Sequence, residues 1–262
     1  MGIINVTPDS FSDGGVHFSA QTAIDAGLRM IDEGADLVDV GGESTRPGAE
    51  EVPVEEELRR VIPVVEALAS KGVKVSIDTL KARVAREALA AGAEMVNDVT
   101  ALSHPEMAGI VAGASCTVCL MHMQGTPRTM QQNPVYNDVV TEVRDYLVER
   151  AQFAQQRGIA KERIWIDPGI GFGKTVQHNL LLLKHLHVLV ATGYPVLIGV
   201  SRKSFIGRVL NPDSPLPVEE RLEGTLAAQA IAQMSGARII RAHDVKESRR
   251  AIDIVSAVLQ AR

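Results

Sequence analysis

Two groups of side chains in this sequence have types that could do chemistry together. Asp78, Asn97, Asp167 and Lys203 combine carboxylate, amide and ammonium groups, whereas Asn5, Arg46, Arg241 and His243 combine amide, guanidinium and imidazole donors. The first group suits the edge of a flat heterocycle carrying an amidine-like N–H pair, because a carboxylate accepts two parallel N–H bonds. Met121 and Phe172 would supply apolar walls for such a ring. The second group suits phosphate oxygens, which cationic donors hold at short range. A ligand that joins a heterocycle to phosphate satisfies both.

The elements that must position these groups are legible from periodicity. Apolar β-type runs at 2–6, 37–41, 73–78, 95–99, 116–121, 164–167, 195–199 and 238–241 are each followed by a longer helical pattern. Most runs are nearly continuous in Val, Ile and Leu, as parallel strands covered on both faces require. Gly34, Gly72, Gly92, Gly113, Gly158, Gly193 and Gly236 stand shortly before the next run, where a helix ends on a left-handed residue. A last helix begins with Asp244 as its expected N-cap. Eight strand-then-helix units over residues 1–262, with no Pro/Gly/Ser-rich linker, predict a single-domain α/β protein, an eight-stranded parallel β/α (TIM) barrel. An open, doubly wound sheet is the alternative. The long intervals at 7–19, 42–53, 122–136, 168–177 and 201–219 follow strands, so they share the C-terminal face of the barrel, where such folds build their sites. Every residue of the two groups stands at or just beyond a strand's C-terminal end, a bias that a purely structural network would not show.

Composition narrows the function. The 262 residues are 45% hydrophobic and 23% charged, enough to bury a sizeable core. A formal charge of −5 and only 5 Phe, 3 Tyr and 1 Trp argue against nucleic-acid or anionic-membrane partners. No signal peptide or membrane span is visible, which predicts a cytoplasmic protein. Cys116 and Cys119 have CxxC spacing but lie in a strand-like run, so their sulfurs point to opposite faces and are expected to be inert. The GIGFGK sequence at 169–174 lacks the spacing of a nucleotide-binding P-loop. His178, His185 and His187 lie in a helical pattern without metal-ligand spacing, and no GxSxG elbow accompanies the serines. The acidic stretch at 50–57 reads as a solvated helix start.

The strand ends and their loops carry GIINVTPDSFSDGG at 2–15, GGESTRPG at 41–48, SIDT at 76–79, ND at 97–98, MHMQG at 121–125, DPGIGFGK at 167–174, SRKS at 201–204 and RAHDV at 241–245. In type and order these segments resemble the dihydropteroate synthase family, the sulfonamide target of folate synthesis, along essentially the whole chain. The resemblance implies condensation of 6-hydroxymethyl-7,8-dihydropterin diphosphate with p-aminobenzoate, giving 7,8-dihydropteroate and diphosphate. It implies a pterin site at Asp78, Asn97, Met121, Asp167, Phe172 and Lys203. It further implies a diphosphate site at Asn5, Arg46, Arg241 and His243 with Mg²⁺ on Asn5, and a p-aminobenzoate site at Phe11, Thr45, Pro47, Lys203 and Ser204. Asp78, Asp167, Lys203 and Arg241 would carry catalysis, and the family implies a homodimer. A pterin-binding methyltransferase shares the Asp/Asn set but has no need of the TRP and SRKS segments. A pterin-binding paralogue without turnover is the non-enzymatic alternative.

Overall fold

Eight short runs too apolar to face water on either side become eight parallel strands: β1 (Gly2–Asn5), β2 (Val38–Gly41), β3 (Val75–Asp78), β4 (Met95–Asp98), β5 (Thr117–Met121), β6 (Ile164–Asp167), β7 (Leu197–Gly199) and β8 (Ile239–Arg241). The computed structural model describes residues 1–6, 16–44 and 50–261, with residues 16–19 described by backbone alone. Between the strands run α1 (Val16–Asp32), α2 (Val54–Ser70), α3 (Ala82–Ala90), α4 (Met107–Gly113), α5 (Val139–Gln156), α6 (Val176–Lys184), α7 (His187–Val190), α8 (Ser204–Leu210) and α9 (Leu222–Met234), and α10 (Val245–Gln260) follows β8.

Strands β1 to β6 pair in sequence order and β7 pairs with β8. Parallel bridges Ile166↔Val196 and Gly2↔Ala242 join the two sheets at both edges, so the ring closes as a TIM barrel rather than an open sheet. At the seam between first and last strands, the Ile3 amide donates to the Ala242 carbonyl (3.1 Å) and the Ala242 amide to the Met1 carbonyl (2.9 Å). The register aligns Asn5 with Gly41, Gly41 with Asp78, and Asp78 with Asn97, which places one polar layer across four adjacent strands. Gly41 suits that layer, since a Cβ there would stand 3.4 Å from Asp78 Cβ. Beneath it, Met95, Cys119, Leu197 and Ile239 form an apolar plug inside the barrel, while the larger core lies between strands and helices. Cys116 belongs to the outer core and Cys119 to the plug, so the sulfurs diverge as strand alternation demands; both are free and buried. Among the described residues no helix is long and apolar enough to cross a membrane.

Four local expectations need correction. Six of the seven helix-ending glycines adopt positive φ, but Gly113 does not, because it closes α4 from within and Ala114 turns the chain outward in an extended conformation. Asp244 precedes α10 without capping it, its carboxylate being held by the Arg202 guanidinium (Nε–Oδ2 2.9 Å). The 201–219 interval is not all loop, for it contains α8 and a 3-10 turn. Glu57 is fully buried rather than solvated: it accepts from Thr79 Oγ1 (2.7 Å) and Lys81 Nζ (2.6 Å). Lys81 also reaches Glu43 and the Val52 carbonyl, so one buried cation joins both stems of the segment after β2 to α2 and to the residues following Asp78.

Candidate active site

Arg241 ends β8 and turns into the barrel. Its Nε donates to Asp39 Oδ2 (2.6 Å) and its Nη2 to Asp78 Oδ2 (2.9 Å), and Asn97 Nδ2 donates to the same Asp39 oxygen (2.9 Å). Guanidinium geometry thus fastens β8 to β2 and β3. The second oxygens of Asp39 and Asp78 are buried and have no partner among the described residues. Buried acceptors of that kind cost free energy unless a ligand donates to them. Burial, reinforced by the neighbouring Asp39 carboxylate and opposed by Arg241, pushes Asp78 up to about 7.

A pH dependence follows. Below pH 7 Asp78 takes up a proton, and a neutral carboxyl offers an N–H pair one acceptor where the carboxylate offers two. Affinity for a heterocycle with an amidine-like edge therefore falls as pH drops through about 7, by up to about tenfold per unit. Calorimetric titrations between about pH 5.5 and 8.5 check this. Asp78→Asn should flatten the profile, and an unchanged slope in that variant would assign the dependence elsewhere.

Asp167 ends β6 and accepts the Gly169 amide (2.7 Å). Burial raises its pKa, against the pull of Lys203, the Gly169 bond, Arg241 and Lys174. Lys203, immediately before α8, lies 4.6 Å from the centre of the Phe172 ring and donates to the Ile170 carbonyl. Burial brings its ammonium down to about 8, with Asp167 resisting. The loop between Asp167 and Lys174 has this shape because Gly169, Gly171 and Gly173 all adopt positive φ. A Cβ on Gly169 would lie 1.9 Å from the His122 carbonyl oxygen, so only glycine allows this loop to rest on the end of β5. Met121 is buried in the same wall, whereas Phe172 is half-exposed at the rim.

His243 follows β8, with its backbone amide and Nδ1 respectively 3.1 and 3.0 Å from Ser201 Oγ. Ser204 opens α8 and is exposed. Asn5 closes β1, level with Asp78. The structure therefore gathers Asn5, Asp78, Asn97, Met121, Asp167, Phe172, Lys203, Ser204, Arg241 and His243 at one barrel mouth. It also ties the heterocycle group to the phosphate group through Arg241, which sequence patterns alone did not anticipate. Phe11, Thr45, Arg46 and Pro47 lie outside the described residues. Among those described, no cluster of three His, Cys, Asp or Glu side chains could hold a metal.

Sequence reading missed Asp39 and Lys174. Asp39 carried a signal, a lone carboxylate within the apolar run 37–41. Lys174 carried none beyond its place in the glycine-rich segment. It is buried, with Nζ 3.0 Å from His122 Nδ1 and donating to the Phe172 carbonyl (2.9 Å). Burial lowers it to about 7, and burial together with the Lys174 ammonium lowers His122 to about 3.

Residues 1–243 match the family described as pterin binding enzyme. The chain is 52% identical over 263 residues to the dihydropteroate synthase of Escherichia coli strain K12, covering 100% of this chain and 92% of that protein. The dihydropteroate synthase of Xanthomonas albilineans with 4-aminobenzoic acid superposes with a TM-score of 0.93 at 49% identity, over 100% of this chain and 93% of that one. The same enzyme in complex with 7,8-dihydropteroate gives a TM-score of 0.90 at 47% identity, over 100% and 94%.

Proposed function

We propose how the barrel mouth works from the premise that the chain belongs to the pterin binding enzyme family. It catalyses the dihydropteroate synthase reaction, joining 6-hydroxymethyl-7,8-dihydropterin diphosphate to p-aminobenzoate with release of diphosphate. The observation that carries the assignment of roles is the buried layer of Asp39, Asp78, Asn97 and Arg241, in which two carboxylate oxygens have no partner among the described residues. A pterin edge presents the N–H donors that such a layer accepts. Met121 and Phe172 flank the ring, and Lys203 reaches the opposite edge across Phe172.

Asn5, Arg46, Arg241 and His243 hold the diphosphate. Arg241 uses Nε and Nη2 on Asp39 and Asp78, which leaves Nη1 for a phosphate oxygen. The donor set fits Mg²⁺ carried in on the diphosphate, since that ion is commonly held by few protein oxygens together with substrate phosphates, and Asn5 would supply its amide oxygen. When bound, the ion neutralises charge on the leaving group. An arylamine is neutral at pH 7 and attacks without a general base. The reaction then proceeds by departure of diphosphate, with the methylene cation stabilised by the electron-rich pterin and the Asp78 carboxylate. Phe11, Thr45, Pro47, Lys203 and Ser204 form the p-aminobenzoate site.

Incubating the protein with dihydropterin diphosphate, Mg²⁺ and p-aminobenzoate tests this reading. Dihydropteroate and diphosphate should appear in equal amounts, and isotope exchange at the carbon–oxygen bond should occur without p-aminobenzoate. Cleavage strictly dependent on p-aminobenzoate would replace the dissociative order with a concerted one.

A homodimer is supported by an apolar face on α9 and α10. Met234 is 62% and Ile254 67% exposed, and Ile231, Val258 and Leu259 lie beside them on the two helices, which Gln233 and Ser256 join by a 2.8 Å hydrogen bond. Large apolar residues exposed on two paired helices are candidates for an association surface, and a second copy of the chain would cover this one. Ile254→Glu with Val258→Glu should give a monomer in sedimentation velocity; a persistent dimer would move the interface to another face. A cytoplasmic location accords with the two free, buried thiols.

A further inference from the structure

Three side chains, Lys174, Gln131 and Tyr136, tie the segment after β5 to the segment after β6. Lys174 Nζ meets His122 Nδ1 (3.0 Å) and donates to the Phe172 carbonyl (2.9 Å), which links the end of β5 to the middle of the glycine loop. Gln131 Nε2 donates to the Gly171 carbonyl (2.6 Å), and Tyr136 Oη donates to the Gly173 carbonyl (2.8 Å). From the other side, the Gly171 amide donates to Asn179 Oδ1 (2.7 Å). A Cβ on Gly173 would come within 2.7 Å of the Gln124 carbonyl oxygen, so the two segments meet backbone to backbone. Of these ties only Lys174 is both buried and directed at Phe172, the residue whose ring lies against Lys203.

We propose that Lys174 is a positioning residue of the reaction: its ammonium fastens the glycine loop to His122, and so fixes the Phe172 ring and the Ile170 carbonyl that hold Lys203 at the pterin edge. The proposal rests on the functional reading above. Glycines allow the loop this conformation, but they also leave it many others, so an added constraint selects the working one. Lys174 supplies that constraint where solvent does not compete, being 3% exposed, and its partner His122 is itself held edge-on against the Tyr146 ring at 4.9 Å. Its depressed basicity is what burial beside Lys203 imposes, and either protonation state still donates to the Phe172 carbonyl.

The test is a double-mutant cycle with Lys174→Met, which keeps the volume, and Gln131→Ala, whose exposed side chain can be cut without a core defect. Calorimetry with dihydropterin diphosphate, steady-state kinetics and thermal melting are read for each variant. Lys174→Met should weaken pterin binding and raise the p-aminobenzoate KM by about tenfold each, with kcat changed less, as expected of misplaced walls rather than lost chemistry. Gln131→Ala should act in the same direction and more weakly, and the double variant should fall short of the product of the two. Unchanged affinities in a cooperatively melting Lys174→Met protein, or strictly multiplicative effects, would overturn the proposal. Should Lys174→Met fail to fold, Gln131→Ala decides alone: weakened pterin binding supports the tie and wild-type binding removes it. Turnover by the unaltered protein tests the functional reading separately.

Discussion

Asp167→Asn is expected to give a folded protein that has lost turnover. The carboxylate is 6% exposed and spends one oxygen on the Gly169 amide, a bond that the Asn carbonyl can keep. What the amide cannot do is accept a second N–H from the pterin; its NH₂ meets that donor head-on, and the neighbouring Lys203 loses its counter-charge. Two charge-assisted bonds and one repulsion together amount to about 4 kcal/mol, or about a thousandfold in kcat/KM. Stability should move the other way. Burial raises the folded-state pKa of Asp167, so the stability this group contributes is present at low pH and is lost as pH rises through that value. Above that value the buried ion is a burden that Asn removes. A lower melting temperature together with the lost activity would show that Asp167 is chiefly structural.

Arg241→Met is expected to damage both fold and function. The guanidinium is the partner of two buried carboxylates, and removing one side of a buried ion pair typically costs about 3 kcal/mol or more. The penalty has a predictable pH dependence. Without the cation nothing opposes the burial that already raises Asp78, so the folded state binds more protons than the unfolded chain and stability falls as pH rises from the unfolded-chain value toward the folded one. The destabilisation relative to the parent should thus be smaller at pH 5 than at pH 8 in urea unfolding. Adding Asp39→Asn should return much of the stability and none of the activity, because the proposed diphosphate site uses Arg241 as well. Recovery of turnover in that double variant would reduce Arg241 to a structural partner.

The barrel was legible in the sequence because parallel strands covered on both faces must be largely apolar, and near-continuous Val, Ile and Leu mark most of the strands from β1 to β8. The rim was legible because polar residues interrupt those runs at one end only. Asp39 escaped notice because it sits inside a run, two residues before its end, where its reason for being polar is Arg241, some 202 positions away. Glu57 was misread for a related cause. Its helix position suggests solvent, and only the folded chain brings Lys81 and Thr79 to it. Asp244 satisfies every local rule for an N-cap, yet a bidentate bond to Arg202 outcompetes two backbone amides. Local chemistry predicts local structure until a long-range partner offers more, and in this chain the exceptions gather around the charged residues of the rim.

The seam between β1 and β8 also orders events in time. Joining Gly2 to Ala242 in an otherwise unpaired chain would close a loop of about 240 residues at an entropic cost of about 5 kcal/mol, against about 3 kcal/mol for each sequential pairing from β1 to β6. During synthesis on the ribosome, six strands can therefore assemble while both outer edges of their sheet remain open to other chains. Arg241 arrives with the last strand. The residue that completes the polar layer at the barrel mouth is the same one that pairs with Asp39 and Asp78, so a nascent chain acquires its charge balance, its closed ring and its buried polar layer in a single late step.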